Sequence, residues 1–412
     1  MAIAPSVRVN GRNRCNVNGE RVLVNLGDWW QALSWLYLLP VVGGMVYNLL
    51  TLWTTKVFLQ RPLLCQDFQP GVSVLKPVRG LEKNLEANLR TIAQQDYSTY
   101  EVIYCVQDPE DPALPIVKKI QAEFSPEKIV IAVDQVEAGT NGKVNNLLGG
   151  LKKAQYDILV ISDSDTHLRP DYLENIVKPL ADPLVGCVTT PFKLTKAQTL
   201  YEGLEVLTIN ADFIPSVLFA EVTGASKACL GPSIAIRRST LTDLGGLESL
   251  ADYLVEDFEL GRRVWTGGLK MVLLPYVIDV GVDLENWTNW WSHQVYWDQN
   301  TYRARPLPFL ATIIIRAVPF ALMFSLWHWS EPWGWLILLI TLAVRYGTAA
   351  LVAKMLKDSE TLRYLWFLPM RDCCCLIFWA LSFSQRQVLW RGIPYRLTKG
   401  GKMMLASPPP KN

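Results

Sequence analysis

Residues 29–55 run WWQALSWLYLLPVVGGMVYNLLTLWTT without one charged side chain. A helix needs about 20 apolar residues to cross a bilayer core, and this run meets that length. Trp29, Trp30, Trp35 and Trp53 lie near its ends, where interfacial aromatics belong. The alternative is a buried core helix, but few soluble helices run so far without charge. A cleaved signal peptide does not fit, because the segment is long, starts far into the chain and has no small-residue cleavage site behind a basic flank. It reads as a signal anchor.

A second apolar block fills the C-terminal quarter. Residues 309–352 hold three charged side chains, Arg316, Glu331 and Arg345, and divide at HWSEPW (328–333) into spans of roughly 308–328 and 333–353. A third segment, 364–383, carries Arg371 and Asp372 at its middle. Adjacent charges inside a span are costly unless paired or facing a polar cavity. That piece reads as a span, an interfacial helix or a re-entrant hairpin, with the non-crossing forms preferred. Lys56 and Arg61 follow the first span, Lys354, Lys357 and Arg363 follow the third, and the link at 328–332 has neither Lys nor Arg. The positive-inside rule then predicts a multi-pass protein with its middle domain in the cytoplasm. Basic residues in the N-terminal tail (Arg8, Arg12, Arg14, Arg21) and the C-terminal tail pull against a simple count.

The whole chain has 412 residues, 40 Lys+Arg against 38 Asp+Glu, and a net charge of +2. That balance excludes a generally basic nucleic-acid binder. Eight cysteines, none in a CxxC pair, and three scattered histidines offer neither a disulfide framework nor a zinc site. The Cys373–Cys375 run reads as membrane packing, with lipidation as the alternative. The final SPPPKN reads as a disordered end.

Between 71 and 285, short β-rich runs alternate with helical patterns. GVSVLKPV (71–78), YEVIYCVQD (100–108), KIVIAVD (128–134) and YDILVISDSD (156–165) read as strands, and 82–95, 113–124, 143–154 and 171–180 as helices. Apolar strands spaced by helices predict parallel βαβ units, whose ligands sit beyond the strands' carboxyl ends. Asp108 closes one strand, and Asp163 and Asp165 close another. Two carboxylates at such a turn suit a hard divalent cation that also takes diphosphate oxygens. No P-loop and no GxGxxG occurs. GTNGKVNNL (139–147) is a Gly-rich turn opening a helix, with Lys143 in its first turn, and reads either as an anion site or as an ordinary capped start. Glu256 and Asp257 open another helical stretch, where they complement the dipole or act as a base.

After the domain, Trp287, Trp290, Trp291, Gln294 and Trp297 fall on one helical arc. His293, Tyr296, Asn300 and Arg303 fall on the other side. This predicts a helix over 286–306 lying in the interface, its polar side toward the domain; the alternative is a core helix packed by its tryptophans. The run 199–220 puts Leu200, Leu204, Leu207, Ala211, Ile214 and Leu218 on one face. Core packing is the preferred reading of that face, and a lipid entrance the other.

GVSVLKPVRG, YEVIYCVQDPEDPA, GKVNNL, the DSD turn, VEDFELGRR and WRGIPYRLTKGG together resemble the ceramide glucosyltransferases, the family-21-like branch of the membrane-bound GT-A glycosyltransferases. The resemblance runs from about 70 to 400 and includes the order of anchor, domain and C-terminal segments. It implies an α/β GT-A (nucleotide-diphospho-sugar transferase) domain at 71–285. Around that domain it implies a tail at 1–28, an anchor at 29–55, two or three membrane segments in 307–385 and a basic tail at 386–412. It implies an inverting transfer of a hexose, glucose from a UDP-sugar donor, onto the hydroxyl of a ceramide-like lipid acceptor in the bilayer, with Mg²⁺ or Mn²⁺ as cofactor. Asp257 would be the general base with Glu256 beside it, and Asp163 and Asp165 the metal ligands. Asp108, Lys143, Lys76 and Arg79 would bind the nucleotide sugar, and His293 and Trp297 would join the catalytic set. The family has Gln/Arg-x-x-Arg-Trp where this chain has His293-Gln-Val-Tyr296-Trp297. Tyr296 offers one hydrogen bond where Arg would offer charge, and Arg303 or Arg305 is the expected replacement. Diacylglycerol, a hopanoid or a polyprenyl phosphate is the rival acceptor. A non-catalytic membrane protein with a degenerate domain is the rival class.

Overall fold

A computed structural model of the chain describes residues 33–64, 67–225, 229–383, 387–390, 393–398 and 401–405. The tail at 1–28, Trp29 and Trp30 of the anchor, Cys15, Cys65 and the SPPPKN end lie outside the described residues. The uncharged run becomes helix α1 (Leu38–Leu59), preceded by a 3-10 turn at Trp35–Tyr37.

The α/β domain follows in the expected alternation. Strands β1 (Val72–Pro77), β2 (Tyr100–Val106), β3 (Ile129–Val133) and β4 (Ile158–Ser162) alternate with helices α2 (Leu85–Ala93), α3 (Leu114–Gln121) and α4 (Gly142–Leu151). Next come β5 (Thr166–His167), α5 (Tyr172–Val177), β6 (Val185–Thr189) and β7 (Phe192–Thr195). After them come α6 (Leu200–Thr208), a π-helical turn at Ile209–Phe213 and α7 (Ile214–Thr223). The domain closes with β8 (Ser233–Arg237), α8 (Arg238–Asp243), α9 (Glu256–Thr266), β9 (Lys270–Leu273) and β10 (Ile278–Gly281). The main sheet runs β3-β2-β1-β4-β8-β6-β9. β1 to β4 pair in parallel, which places Asp108 and Asp163 beyond the same sheet edge. The four predicted strands are parallel as expected, while β8, a strand outside that prediction, is antiparallel to both β4 and β6. Ser-Ile-Ala-Ile-Arg is apolar and buried like its neighbours, and an apolar run reports burial without reporting direction.

α10 (Trp287–Ala304) leads into α11 (Pro306–Ala311) and α12 (Ala317–Trp327), then α13 (Pro332–Met355), α14 (Ser359–Tyr364) and α15 (Leu368–Leu381). Among the described residues, four helical stretches are long and apolar enough to cross a membrane: 35–59, 200–223, 332–355 and 359–381. The expected straight span at 308–328 is instead a pair bent by 49° with Arg316 at the break. The stretch at 200–223 cannot cross fully, because β7 before it and β8 after it both belong to the domain. Its predicted face packs inward: Leu204, Leu207, Ile214 and Leu218 are fully buried, so core packing holds there.

Two observations explain how these helices associate. Gly43 and Gly44 of α1 let the broken helix approach: a Cβ at Gly44 would lie 2.6 Å from the Ile315 carbonyl oxygen and 2.7 Å from the Ala317 Cβ. Small residues permit such backbone contact between apolar helices. The central charges of 364–383 are paired, as their position required. Arg345 grips Asp372 with Nε at 2.8 Å and Nη2 at 3.1 Å, and Nη2 also meets Asp212 at 3.1 Å. Arg371 donates to Asp212 and Asp372. Asp212 comes from the π-helical turn, whose extra residue widens the helix at that point.

The tryptophan arc of α10 also differs from expectation. Trp290 is buried, and both Trp290 and Trp291 meet the Phe378 ring of α15, at 5.4 and 4.7 Å. The arc is thus partly covered by protein, because α15 lies across it. The C-terminal tail folds back: β11 (Gln387–Trp390), β12 (Ile393–Leu397) and β13 (Met403–Leu405) form an antiparallel sheet. The Met403 N–H donates to the Asp252 carbonyl at 2.7 Å, and Tyr395 and Met403 pack on Leu254.

A leucine at position 44 cannot be accommodated without parting α1 from the broken helix. Gly44→Leu should destabilise the protein by about 1–3 kcal/mol, read as a lower melting midpoint in detergent. An unchanged midpoint would mean that this contact is not held in the native protein.

Candidate active site

Lys143 stands where three segments meet. Asn141 caps α4: its side-chain oxygen accepts from the Lys143 N–H at 2.9 Å and the Val144 N–H at 3.2 Å. The same side chain donates through Nδ2 to Glu256 at 3.1 Å and to the Tyr253 carbonyl at 2.8 Å. The start of α4 is thereby tied to the start of α9. From this fixed turn Lys143 Nζ reaches Asp163 Oδ1 at 2.7 Å and Glu256 Oε1 at 3.0 Å.

Asp257 sits beside this pair. Its Oδ2 accepts from the Gly231 N–H at 2.6 Å, and its Oδ1 from the Phe258 N–H at 2.7 Å. A Cβ at Gly231 would lie 2.9 Å from that Oδ2 and 3.3 Å from Lys143 Nζ. Only glycine leaves the carboxylate and the ammonium this room. Burial, and then the Glu256 charge, push the Asp257 carboxyl up to about 7. Burial would discharge Lys143, but Asp163, Glu256 and Asp257 hold its ammonium charged well above the ordinary range.

Asp165 lies deeper. Burial, then Asp163 and Glu82, push its carboxyl up to about 8. Its Oδ1 is buried with no hydrogen-bond partner among the described residues, an orphan that a cation would satisfy. Among the described residues no three metal-binding side chains converge to cage an ion by themselves. Two strand-end carboxylates with one orphaned oxygen fit a hard divalent cation that completes its shell with diphosphate oxygens and water.

The expected nucleotide-binding residues separate. Asp108 is exposed just beyond β2 and accepts from the Glu110 N–H at 2.9 Å. Arg79 is exposed in the turn after β1, near the start of α4: a Cβ at Gly142 would lie 3.6 Å from its Nη1. Lys76 requires a correction. It is fully buried under the acids, with Nζ donating to Thr166 Oγ1 at 2.7 Å and Ser162 Oγ at 3.3 Å. Burial, opposed by Asp165, Asp163 and Glu82, lowers it to about 8. It supports the acid turn from below and has no surface for a ligand.

His293 and Trp297 form a hydrogen-bonded pair of their own. Trp297 Nε1 donates to His293 Nε2 at 2.7 Å, and His293 Nδ1 meets Glu205 at 3.0 Å. The residue of this motif that does face the acids is Tyr296, packed beside Leu254 and Val255. Arg305, one of the two expected replacements, lies over the Phe258 ring at 5.1 Å, next to Asp257. Asn141, Gly231 and Glu82 were not singled out in the sequence. Asn141 carried a signal, since an Asn before Gly-Lys at a helix start is a strong cap.

A raised pKa of this kind makes a pH prediction. If Asp257 is the base it works only when deprotonated, so activity should be half-maximal near pH 7, full well above it, and lost as pH drops below it. Glu256→Gln removes a like charge beside Asp257 and should move that acidic limb to lower pH. The kcat/KM profile of the two proteins checks this, and an unmoved limb would show that Asp257 is not the titrating group.

The glycosyl transferase family 21 model matches residues 36–403. A ceramide glucosyltransferase 1 of Caenorhabditis elegans is 27% identical over 50% of this chain and 44% of its own length. A ceramide glucosyltransferase of Candida albicans is 31% identical over 36% of this chain and 30% of its own. The matched stretch thus spans under half the length of these curated relatives. Among solved structures, a mannosyltransferase from Pyrobaculum calidifontis, in complex with GDP-Man and Mn²⁺, is 20% identical at a TM-score of 0.47, covering 84% of this chain and 98% of that one. The chain belongs to glycosyl transferase family 21.

Proposed function

We propose that this family 21 member is an inverting hexosyltransferase that moves glucose from UDP-glucose to the hydroxyl of a membrane lipid of the ceramide kind. The observation that carries the reading is Asp257, a carboxylate of raised pKa sharing one ammonium with the strand-end acid Asp163. Support for the donor and acceptor comes from the relatives named ceramide glucosyltransferase. Further support for a lipid acceptor comes from the membrane-length helices packed against the domain.

In this reading the donor lies beyond the strand ends, with Asp108 and Arg79 beside its nucleotide and Lys143 facing its diphosphate. Asp163 and Asp165 would hold Mg²⁺ or Mn²⁺, which supplies positive charge to the leaving diphosphate. Asp257 takes the proton of the acceptor hydroxyl. The oxygen forms its bond to the anomeric carbon from the face opposite the diphosphate, whose bond to that carbon breaks. One displacement without a covalent enzyme intermediate inverts the configuration. Lys143 keeps Glu256 and Asp163 from repelling the developing charges. Lys56 and Arg61 behind α1 and Lys354, Lys357 and Arg363 behind α13 favour a multi-pass protein with this site on the cytoplasmic side.

Asp257→Asn should lower transfer by 10²-fold or more, with UDP-glucose binding kept. Lipid mass spectrometry after incubation with labelled UDP-glucose reads it, and near wild-type turnover would refute the base. Asp163→Ala should abolish the Mn²⁺ dependence of UDP binding in calorimetry. UDP binding in the wild type that ignores Mn²⁺ would remove the metal from the scheme. A labelled diacylglycerol, hopanoid or polyprenyl phosphate would reassign the acceptor.

A further inference from the structure

The catalytic acids leave a second concentration of charge without a role. A cavity of about 320 Å³ lies between α1, the α6–α7 stretch, α10, the broken helix, α13 and α15. Phe309, Ile315, Val318 and Phe378 give it apolar walls, yet seven charged side chains also line it. Charges among membrane-length helices are costly and mark function unless they are only mutual partners. Most here are partners: Arg345 and Arg371 are saturated by Asp212 and Asp372. Glu205 accepts from Gln294 at 2.6 Å and faces His293.

Asp298 and Arg316 are different. Their closest approach is 3.8 Å, too long for a hydrogen bond. Arg316 Nε is buried and has no hydrogen-bond partner among the described residues. This orphaned donor stands where the helix breaks, so the break directs a guanidinium at the cavity. An unpaired buried donor facing an open cavity is what a missing ligand leaves behind.

The charge of the lining limits what that ligand can be. Four carboxylates (Glu205, Asp212, Asp298, Asp372) face three guanidiniums (Arg316, Arg345, Arg371), one net negative charge, or none if His293 is protonated. A phosphate-bearing head would add negative charge to a site with none to spare, at low dielectric. An uncharged head with a carbonyl and hydroxyl or amide hydrogens matches the unused groups.

We propose that this cavity binds the acceptor lipid, and that Arg316 and Asp298 select an uncharged head, Arg316 donating to its carbonyl and Asp298 accepting from its hydroxyl or amide hydrogen. The proposal rests on the lipid-acceptor reading above. α10 is the shared wall: Tyr296 faces the acid pair, while Trp297 and Asp298 line the cavity. Recognition of the head and removal of its proton are thus assigned to two faces of one helix.

The test uses the full-length protein in detergent, with an N-acyl amino-alcohol lipid carrying a diazirine in its acyl chain and its phosphorylated counterpart as competitor. Photolabelling should fall on α10 to α12 peptides, weaken in Arg316→Gln and Asp298→Asn, and resist the phosphorylated competitor. In kinetics both variants should raise the acceptor KM about 10- to 100-fold with the donor KM unchanged, which also shows that they fold. Labelling elsewhere, an unchanged acceptor KM, or equal competition by the phosphorylated lipid would overturn the proposal. Labelling at this cavity without sugar transfer to any lipid would keep the site and sink the transferase reading instead.

Discussion

An ammonium and the carboxylates around it hold each other in charge. Burial pushes Lys143 toward its neutral form, and Asp163, Glu256 and Asp257 hold it charged. Those acids would repel one another in a poorly solvated cleft without Lys143. Because Asn141 caps α4 and also holds Glu256, the geometry of this cluster is set by backbone as well as charge. The consequence is coupling between the two ends of the reaction. A diphosphate arriving near Lys143 brings negative charge that competes for the same ammonium. In the proposed reading the Lys143 ammonium is therefore shared between the donor end and the Asp257 end of the site.

The second charge cluster follows a different logic. Asp212, Arg345, Arg371 and Asp372 come from three helices distant in sequence. Each removed partner would leave a buried charge uncompensated, so the cluster specifies how α13 and α15 seat on the π-helical turn. That seating forms the cavity, and the Gly43–Gly44 contact sets the broken helix against it.

Much of this was legible in the chain. Strand and helix alternated as predicted because buried strands are continuous apolar runs and their ends are marked by acids. Asp163, Lys143 and Glu256–Asp257 lie 20 to more than 90 residues apart in sequence, and the fold joins them. What stayed hidden depends on partners remote in sequence. Lys76 enters the nucleotide-binding set only through the resemblance, yet its side chain lies under the acids. His293 and Trp297 bond each other, and His293 also meets Glu205, partners that a motif's spacing does not reveal. The bend at Arg316 and the cover of α15 over Trp290 are properties of packing, not of periodicity.

The docked tail constrains how the chain is threaded. Met403 bonds Asp252 and Tyr395 packs on Leu254, both within a few residues of the acid pair. The tail and the domain are therefore on one side of any membrane the helices enter, and an even number of crossings separates residue 285 from 387. α12 ends where α13 begins, beside the start of α1, as His328 bonding Ser34 at 2.8 Å and Trp333 stacked on Trp35 at 5.3 Å require. α13 ends at the domain, where Lys193 donates to the Lys357 carbonyl at 2.7 Å. α15 then starts near that level and finishes against α10 and α11, with Phe378 on Trp291 and Trp379 bonding the Phe309 carbonyl at 3.2 Å. If α12 and α13 make one crossing each, parity leaves none for α15. Its buried Arg371 and Asp372 then have a reason to be there: a helix that stays on the domain's side can carry a charge pair inward to meet α13, which a lipid-facing span could not afford.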